Sequence, residues 1–349
     1  MATLKFMEQQ PLDPQLMTCP DCGEEERIGV HSHQERRCIC HACGGTFAET
    51  KGTIFFNLHY PIWVVVLVLT LLAHGCPPAA IVVAFYLDER TVATWHSKAG
   101  KHGKRVQDEI VCNGQVELGQ VQADELCVKA QSGKKVWVAT AMSVFSRLFL
   151  WGEVSTKRDK PLIERLMAKV RAAAGSVLQP ILVAVDGLPA YPNAIRKAFS
   201  DKFYSGKPGR PPRLPWSDLH IVQVVKQRSG YKLTKISRRL AHGCLNRVYD
   251  LIAMSQAGFG LINTAYIERL NATFRTRMPA LVRRTRSLAR TTQRIETDLF
   301  WTGSVYNFCT IHASLNATPA MAAGLTEHVW SVEELLRLTL PEKPLHGIL

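Results

Sequence analysis

The chain has 349 residues, 46% hydrophobic and 21% charged, and its 43 Lys+Arg against 29 Asp+Glu leave a formal charge of +14. That length suits about two domains, and the globular composition excludes extensive disorder and fibrous classes. A surplus of this size asks for a polyanion, nucleic acid or anionic lipid, unless the charge is evenly spread.

It is not. Residues 1–50 carry 4 basic and 8 acidic side chains, 200–240 carry 10 basic and 2 acidic, and from Arg269 to Arg294 there are eight arginines and no acid. A solvated helix face interleaves both signs, so this clustering points to nucleic acid. The opening MATLKFMEQQ has no apolar core behind a basic cap. The apolar run Ile62–Ala73 has twelve residues before Gly75 and Pro77-Pro78 end it, where a bilayer span needs roughly 18. The expectation is a soluble, intracellular protein with no membrane partner.

Ten cysteines without a secretory signal suggest metal before disulfides. Cys76, Cys112, Cys127, Cys244 and Cys309 are scattered singly and read as small core hydrophobes. The other five lie in 19–43. Cys19-Pro-Asp-Cys22 and Cys40-His-Ala-Cys43, seventeen residues apart, have the spacing of a zinc ribbon, placed at 15–50. Two residues between cysteines let a tight knuckle point both thiolates at one ion, and two knuckles complete a tetrahedral sulfur site. Cys38, His31, His33 and His41 are alternative ligands. The net acidity of this segment argues against its tracking phosphates unaided, so a structural or dimerising role is equally open.

Residues 58–107 read as a small all-α module. Ile62–Ala73 is a buried helix, Ala80–Leu87 a second, and Asp88 caps a third over Glu89–Lys98 with Val92 and Trp95 turned to the core. A helix, a short turn and a helix followed by Lys98, Lys101, Lys104 and Arg105 resembles a helix-turn-helix. Arg90, Thr91, Thr94 and Lys98 would then face the major groove. Any three-helix packing unit would show a similar pattern.

Residues 115–325 form the third module. Val121–Glu125, Val136–Phe145 and Leu148–Val154 read as strands, Lys160–Ala174 as a helix, and Ile181–Val185 as a strand buried on both faces, followed by Asp186-Gly187. Ala190–Phe199 is a helix, Leu219–Lys226 a strand, and helices follow. This α/β order is that of a ribonuclease H-like fold. Between helix and strand, the Pro/Gly-rich basic loop 201–216 carries Lys207, Arg210 and Arg213, suited to DNA backbone contact.

Three carboxylates stand out. Asp186 ends a buried strand, where ligands gather in α/β sheets. Asp124 lies beside it if their strands pair. Glu268 sits on a helix starting near Thr264, whose Ile267, Leu270 and Phe274 form a core stripe and whose Glu268, Asn271 and Arg275 form an adjacent polar one. Carboxylates gathered this way repel unless a hard cation lies among them, and magnesium fits. Two such ions, roughly 4 Å apart, activate a water or 3′-hydroxyl and stabilise the leaving oxygen of a phosphodiester. Glu125, next to Asp124, is most easily confused with it, but alternation points it to the opposite strand face.

Asp124-Glu125, the run Asp186-Gly187-Leu-Pro-Ala-Tyr-Pro-Asn-Ala, Asn263-Thr-Ala-Tyr-Ile-Glu268-Arg-Leu-Asn271 and Leu281-Val-Arg-Arg-Thr285 resemble the DDE transposases of bacterial insertion sequences, nearest to the InsA/InsB type. The run Tyr306-Asn307, His312, Ser314-Leu315, Thr318-Pro319 resembles the segment after the catalytic glutamate in integrase-like proteins. The resemblance covers the chain from Cys19 to about Leu336 and is looser across 140–180, leaving 326–349 largely as a tail. It implies Asp124, Asp186 and Glu268 as the catalytic, metal-binding triad, with two Mg²⁺ (or Mn²⁺) per active site and one structural Zn²⁺. Double-stranded DNA, as element ends and target, would be the partner of a homodimer or larger synaptic assembly in the bacterial cytoplasm, at the nucleoid. Arg277, Arg283 and Arg284 join Asn271 and Arg275 as DNA contacts. A nuclease that does not join strands, a zinc-ribbon DNA-binding regulator and a tyrosine recombinase using Tyr306 are the alternatives.

Overall fold

The computed structural model describes residues 11–175, 179–204, 206, 209–230, 232–255, 260–282 and 288–340. The chain divides into two compact units, one running to Leu71 and including the chain from Ser331 on, the other Leu72–Trp330. Among the described residues the protein is mixed α/β, with a six-stranded mixed sheet and ten α-helices. No described helix is long and apolar enough to cross a membrane.

The first unit holds a three-stranded antiparallel sheet of β1 (Ile28–Ser32), β2 (Arg37–Cys40) and β3 (Thr46–Ala48) in that order. Its core is Leu12, Cys19, Cys38, Cys40 and Phe47. So small a core needs help, and part of it is electrostatic: the buried Glu49 receives Arg36 and, at 3.0 Å, Arg337. Arg337 ends α10 (Val332–Arg337), which Ser331 and Glu334 start with a capping box. The division between units falls inside α1 (Ile62–Ala73), apolar throughout.

In the second unit α2 (Pro78–Phe85) begins on a proline and ends at Tyr86, whose φ of 52° turns the chain sharply. Asp88 then caps α3 (Glu89–Val106), accepting from the Arg90 N–H at 2.8 Å. Helix α3 runs eight residues beyond the expected end at Lys98, past Gly100 and Gly103.

The large sheet comprises β4 (Gln120–Lys129), β5 (Lys135–Ser143), β6 (Phe149–Ser155), β7 (Ile181–Asp186), β10 (Leu219–Ser229) and β11 (Lys232–His242), in the order β11-β10-β7-β4-β5-β6. The first three form an antiparallel meander. Helix α4 (Lys160–Ala173) carries the chain back so that β7 pairs parallel to β4, and α5 (Ala190–Ala198) does the same for β10 beside β7. A ribbon of β8 (Ser200–Lys202) and β9 (Arg213–Pro215) closes the base of the basic loop. Strand β11 is an addition to the expected order, and α6 (Leu245–Met254) is the first of the helices that follow it. At the sheet edge β11 is largely exposed on both faces, so no apolar alternation marks it, and Lys232, Lys235, Arg238 and Arg239 guard the edge against further pairing.

Helices α7 (Ala265–Arg277), α8 (Thr292–Phe308) and the short α9 (Pro319–Ala322) complete the unit. Helix α8 is buried from Thr297 to Phe308 because glycines admit it on two sides. A Cβ on Gly100 or Gly103 of α3 would come within 2.7 Å of the Thr297 Cα or 2.8 Å of the Phe300 carbonyl oxygen. On the sheet side, Gly152 meets Leu299 and Gly303 meets Phe149. At the β6 side the trapped polar groups are satisfied. Asn307 donates to the Phe149 carbonyl at 2.8 Å and accepts from its N–H at 2.9 Å, while Gln107 donates to the Leu150 carbonyl at 3.0 Å.

Gly103→Ala should therefore force α3 and α8 apart and destabilise the protein by about 1–3 kcal/mol, the usual cost of overpacking. Denaturant unfolding followed by circular dichroism measures it; an unchanged midpoint would mean that this crossing is loose.

Candidate functional site: a cysteine cluster and an acidic centre

The two knuckles meet. Cys19 Sγ lies 3.8 Å from Cys43 Sγ and Cys22 Sγ 3.6 Å from Cys40 Sγ, with all four sulfurs within 4.8 Å of one another. Tetrahedral Zn–S bonds of about 2.3 Å place sulfurs roughly 3.8 Å apart, so the four are compatible with a zinc site. The alternative ligands stand elsewhere: His31, His33 and His41 are exposed, and Cys38 is a core residue of β2 whose thiol burial pushes up. A Cys22→Ser protein should lose bound zinc and, with it, the fold of the first unit, as elemental analysis and thermal unfolding would register. Full zinc content in that variant would exclude this ligand set.

The second site is acidic. The parallel register runs to Ala123 opposite Val185, so the next residues, Asp124 and Asp186, stand side by side at the ends of β4 and β7. Asp124 Oδ2 accepts from Asn271 Nδ2 at 3.2 Å, and the Thr140 hydroxyl donates to Asn271 Oδ1 at 2.8 Å, fixing which end of the amide faces the acid. Asn271 is thus buried, at 1% exposure, and serves Asp124; the expected place among the DNA contacts is not where the fold puts it. Asp186 accepts from the Leu188 N–H at 2.9 Å, and Gln223 Nε2 donates to the Asp186 and Leu188 carbonyls, holding the turn.

Glu125 joins them. Alternation does send it to the other face of β4, but its longer side chain reaches back, and one oxygen each of Asp124, Glu125 and Asp186 lies within 4.8 Å of the others. Arg158, from the segment before α4, bridges two of the three, 2.7 Å from Glu125 Oε2 and 3.1 Å from Asp186 Oδ2. The other Glu125 oxygen is buried without a hydrogen bond, and the fully buried Tyr191 phenol, pushed well above its usual range by burial and by the Glu125 charge, lies beside it.

Glu268 stands outside this close group. It is half-exposed on the first turn of α7, paired with Lys226 of β10, and its carboxylate accepts from the Thr264 hydroxyl at 2.8 Å. Burial first, then the charges of Asp186 and Glu268, push the Asp124 carboxyl up. Such a crowd of acids can bind a metal ion, since a hard cation relieves the repulsion that Arg158 and Lys226 only partly offset.

Several expected DNA contacts form one stripe. Arg90, Thr94, Lys101 and Arg105 are exposed along α3 with Thr91 and Lys98 at its margin, opposite the glycines that receive α8. The Thr94 hydroxyl bonds back to the Arg90 carbonyl at 2.8 Å. Lys104 is turned aside, 2.6 Å from Glu296 of α8, an acid remote in sequence that the local charge count omits. Arg294 likewise finds Asp298 at 3.0 Å. In the basic loop Arg210 is exposed, whereas Arg213 is braced on Ser200 Oγ at 2.9 Å. Arg275 and Arg277 are half-buried on α7. Lys207, Arg283 and Arg284 lie outside the described residues. Tyr306 is a core residue whose hydroxyl donates to the Arg147 carbonyl at 3.2 Å.

Arg158, Tyr191 and Lys226 are participants that no local pattern announces, because each meets its acid across tens of residues of chain. No protein-family model matches the chain, and comparison with curated proteins finds no match.

The raised Asp124 carboxyl fixes a sign. Its folded value lies above the unfolded one, so its contribution to stability is full below the unfolded pKa of about 3.9 and is lost as pH rises through the folded value. At neutral pH the centre therefore opposes folding. Asp186→Asn should raise the metal-free melting temperature, by roughly 2–4 °C per kcal/mol of repulsion relieved, and shrink the further rise that Mn²⁺ gives the wild type. Differential scanning calorimetry decides it, and a lower melting temperature for Asp186→Asn would refute the repulsion.

Proposed function

We propose that the protein is a DNA transposase of the DDE type, binding the ends of a mobile element and catalysing metal-dependent strand cleavage and strand transfer. The observation that carries this reading is the side-by-side placement of Asp124 and Asp186 on parallel strands, with Glu268 presented from α7 near enough for its charge to act on Asp124. The chain order of three strands, helix, strand, helix and strand supports a ribonuclease H-like catalytic domain. The four clustered thiols on a small antiparallel sheet support a zinc ribbon, and α2, the turn at 86–88 and α3 support a helix-turn-helix.

In this reading Asp124, Asp186 and Glu268 hold Mg²⁺, with Glu125 at hand as a fourth carboxylate. Divalent ions bound there would activate the attacking water or 3′-hydroxyl and neutralise charge on the scissile phosphate. Asn271 keeps Asp124 oriented, and Gln223 keeps the turn after Asp186 in place. Lys226 must release Glu268 for the triad to close. Their ion pair is part-exposed, so little free energy opposes its release. The exposed basic stripe of α3 would read or track the duplex, and affinity should fall steeply with salt because several phosphates are contacted at once.

The test is the Asp186→Asn protein with end-labelled element DNA. It should bind like the wild type yet neither nick nor join, because phosphoryl transfer depends on ion placement and charge neutralisation. Normal nicking would remove Asp186 from the active site. Wild-type cleavage with no joining of 3′ ends to target DNA would favour a nuclease instead.

A further inference from the structure

The face of α7 leading away from Glu268 carries Tyr266, Arg269, Thr273 and Arg277 at intervals of three and four, one stripe of a helix. Two segments distant in sequence meet it. In the turn between β5 and β6, Arg147 takes a left-handed backbone at φ 59°, donates to the Val144 carbonyl and lays its guanidinium 4.0 Å from the centre of the Tyr266 ring. Beyond α8, Arg277 Nη1 lies 3.5 Å from Thr310 Oγ1, and His312 stands edge-on to Tyr306 with ring centres 6.5 Å apart. Tyr306 ties the two together through its bond to the Arg147 carbonyl and its proximity to both guanidinium groups.

This cluster has no counter-charge. Among the described residues none of Arg147, Arg269 and Arg277 forms an ion pair with a carboxylate, although Arg147 and Arg277 are both half-buried. Burial pushes both guanidinium groups below their ordinary value, and burial together with the charges of Arg147 and Arg269 holds His312 down as well. Withdrawing cations from water without an anion is costly, and a fold that does so repeatedly in one place is built for an anion to supply the balance. The planar guanidinium matches a phosphate with paired N–H donors. The Ser314 hydroxyl lies 3.0 Å from His312 Nδ1, leaving Nε2 for a ligand, and exposed Arg269, Ile311 and Ser314 leave the cluster open to solvent.

We propose that Arg147, Arg269 and His312 form a binding site for one phosphate group, with Arg277 flanking it farther along α7, and that in the working protein this phosphate belongs to the backbone of bound DNA. The DNA assignment rests on the transposase reading; the phosphate chemistry does not. Arg269 is the residue after Glu268 on the same helix, so the phosphate held lies close along the strand to the one cleaved, and the site sets the register of the strand over the acidic centre.

The test uses the full-length, zinc-loaded protein without added magnesium. Inorganic phosphate, against chloride at equal ionic strength, should raise the melting temperature of the wild type and of Asp186→Asn, and less that of Arg269→Gln and His312→Gln. A short DNA duplex should bind Arg269→Gln, at an exposed position, about tenfold more weakly, with a log–log salt slope smaller by about 0.9, the value of one phosphate contact. Should Arg269→Gln fold poorly, Arg147→Gln reads the same slope. Protection by phosphate with unchanged DNA affinity and slope in the arginine variants would assign the site to a free phosphate ligand and overturn its role on DNA. No protection and an unchanged slope would overturn the site altogether. No readout involves cleavage or joining, so a protein that binds DNA but never cuts it would sink the transposase reading and leave this site standing.

Discussion

Parallel pairing of β4 with β7 is the constraint from which the acidic centre follows. Neighbouring strands lie about 4.8 Å apart, so a register ending at Ala123 opposite Val185 brings the next two side chains, both aspartates, within reach of each other. The pairing is maintained by burial: Val121, Ala123, Leu182, Val183, Ala184 and Val185 are almost wholly shielded. At roughly 25 cal/mol per Å² of apolar surface, that burial outweighs the repulsion it creates at one end of the sheet. The repulsion is thus a consequence of the fold, tolerated because the strands' other contacts are strong and because Arg158, Asn271 and the Leu188 N–H all face the acids.

A second constraint sets where α7 can lie. Helix α8 fits between α3 and β6 only because Gly100 and Gly103 on one side and Gly152 opposite Leu299 on the other leave no Cβ in the way. Asn307 and Gln107 then pin α8 and the end of α3 to the start of β6 through main-chain hydrogen bonds that a slid helix would leave unmade. With α8 held, α7 packs on β4 and β5 through Ile267, Leu270 and Phe274, and its polar flank turns Asn271 inward and Glu268 outward.

The carboxylates of the centre have unequal surroundings, and that inequality bears on the proposed function. Asp124 is half-buried and oriented by an amide, Glu125 is enclosed with Arg158 and Tyr191, Asp186 sits at the mouth, and Glu268 is on the surface with a lysine. Three are placed by the core and cannot move without it. Glu268 can change partner at little cost, which makes it the adjustable member of the set.

Much of this was legible along the chain because it depends on residues close in sequence. Cysteine pairs two residues apart, the Asp88 cap, the apolar run ending at Asp186 and the i, i+3, i+7 stripe of α7 are local patterns, and each corresponds to an observed element. What the chain alone did not reveal depends on meetings between distant segments. Strand β11 lacks alternation because an edge exposes both faces. Lys104 loses its apparent freedom to Glu296 only once α8 is folded against α3. Asn271 reads as a surface polar residue until Thr140 and Asp124 close around it, and Glu125 reads as facing away until its length is set against the strand end. Sequence by itself determined which residue types stand at each element's end, since propensity, capping and periodicity act over a few residues. Tertiary structure alone decided which of those ends share a charge, because electrostatic partners are chosen by distance in space and the chain specifies that distance only after it has packed.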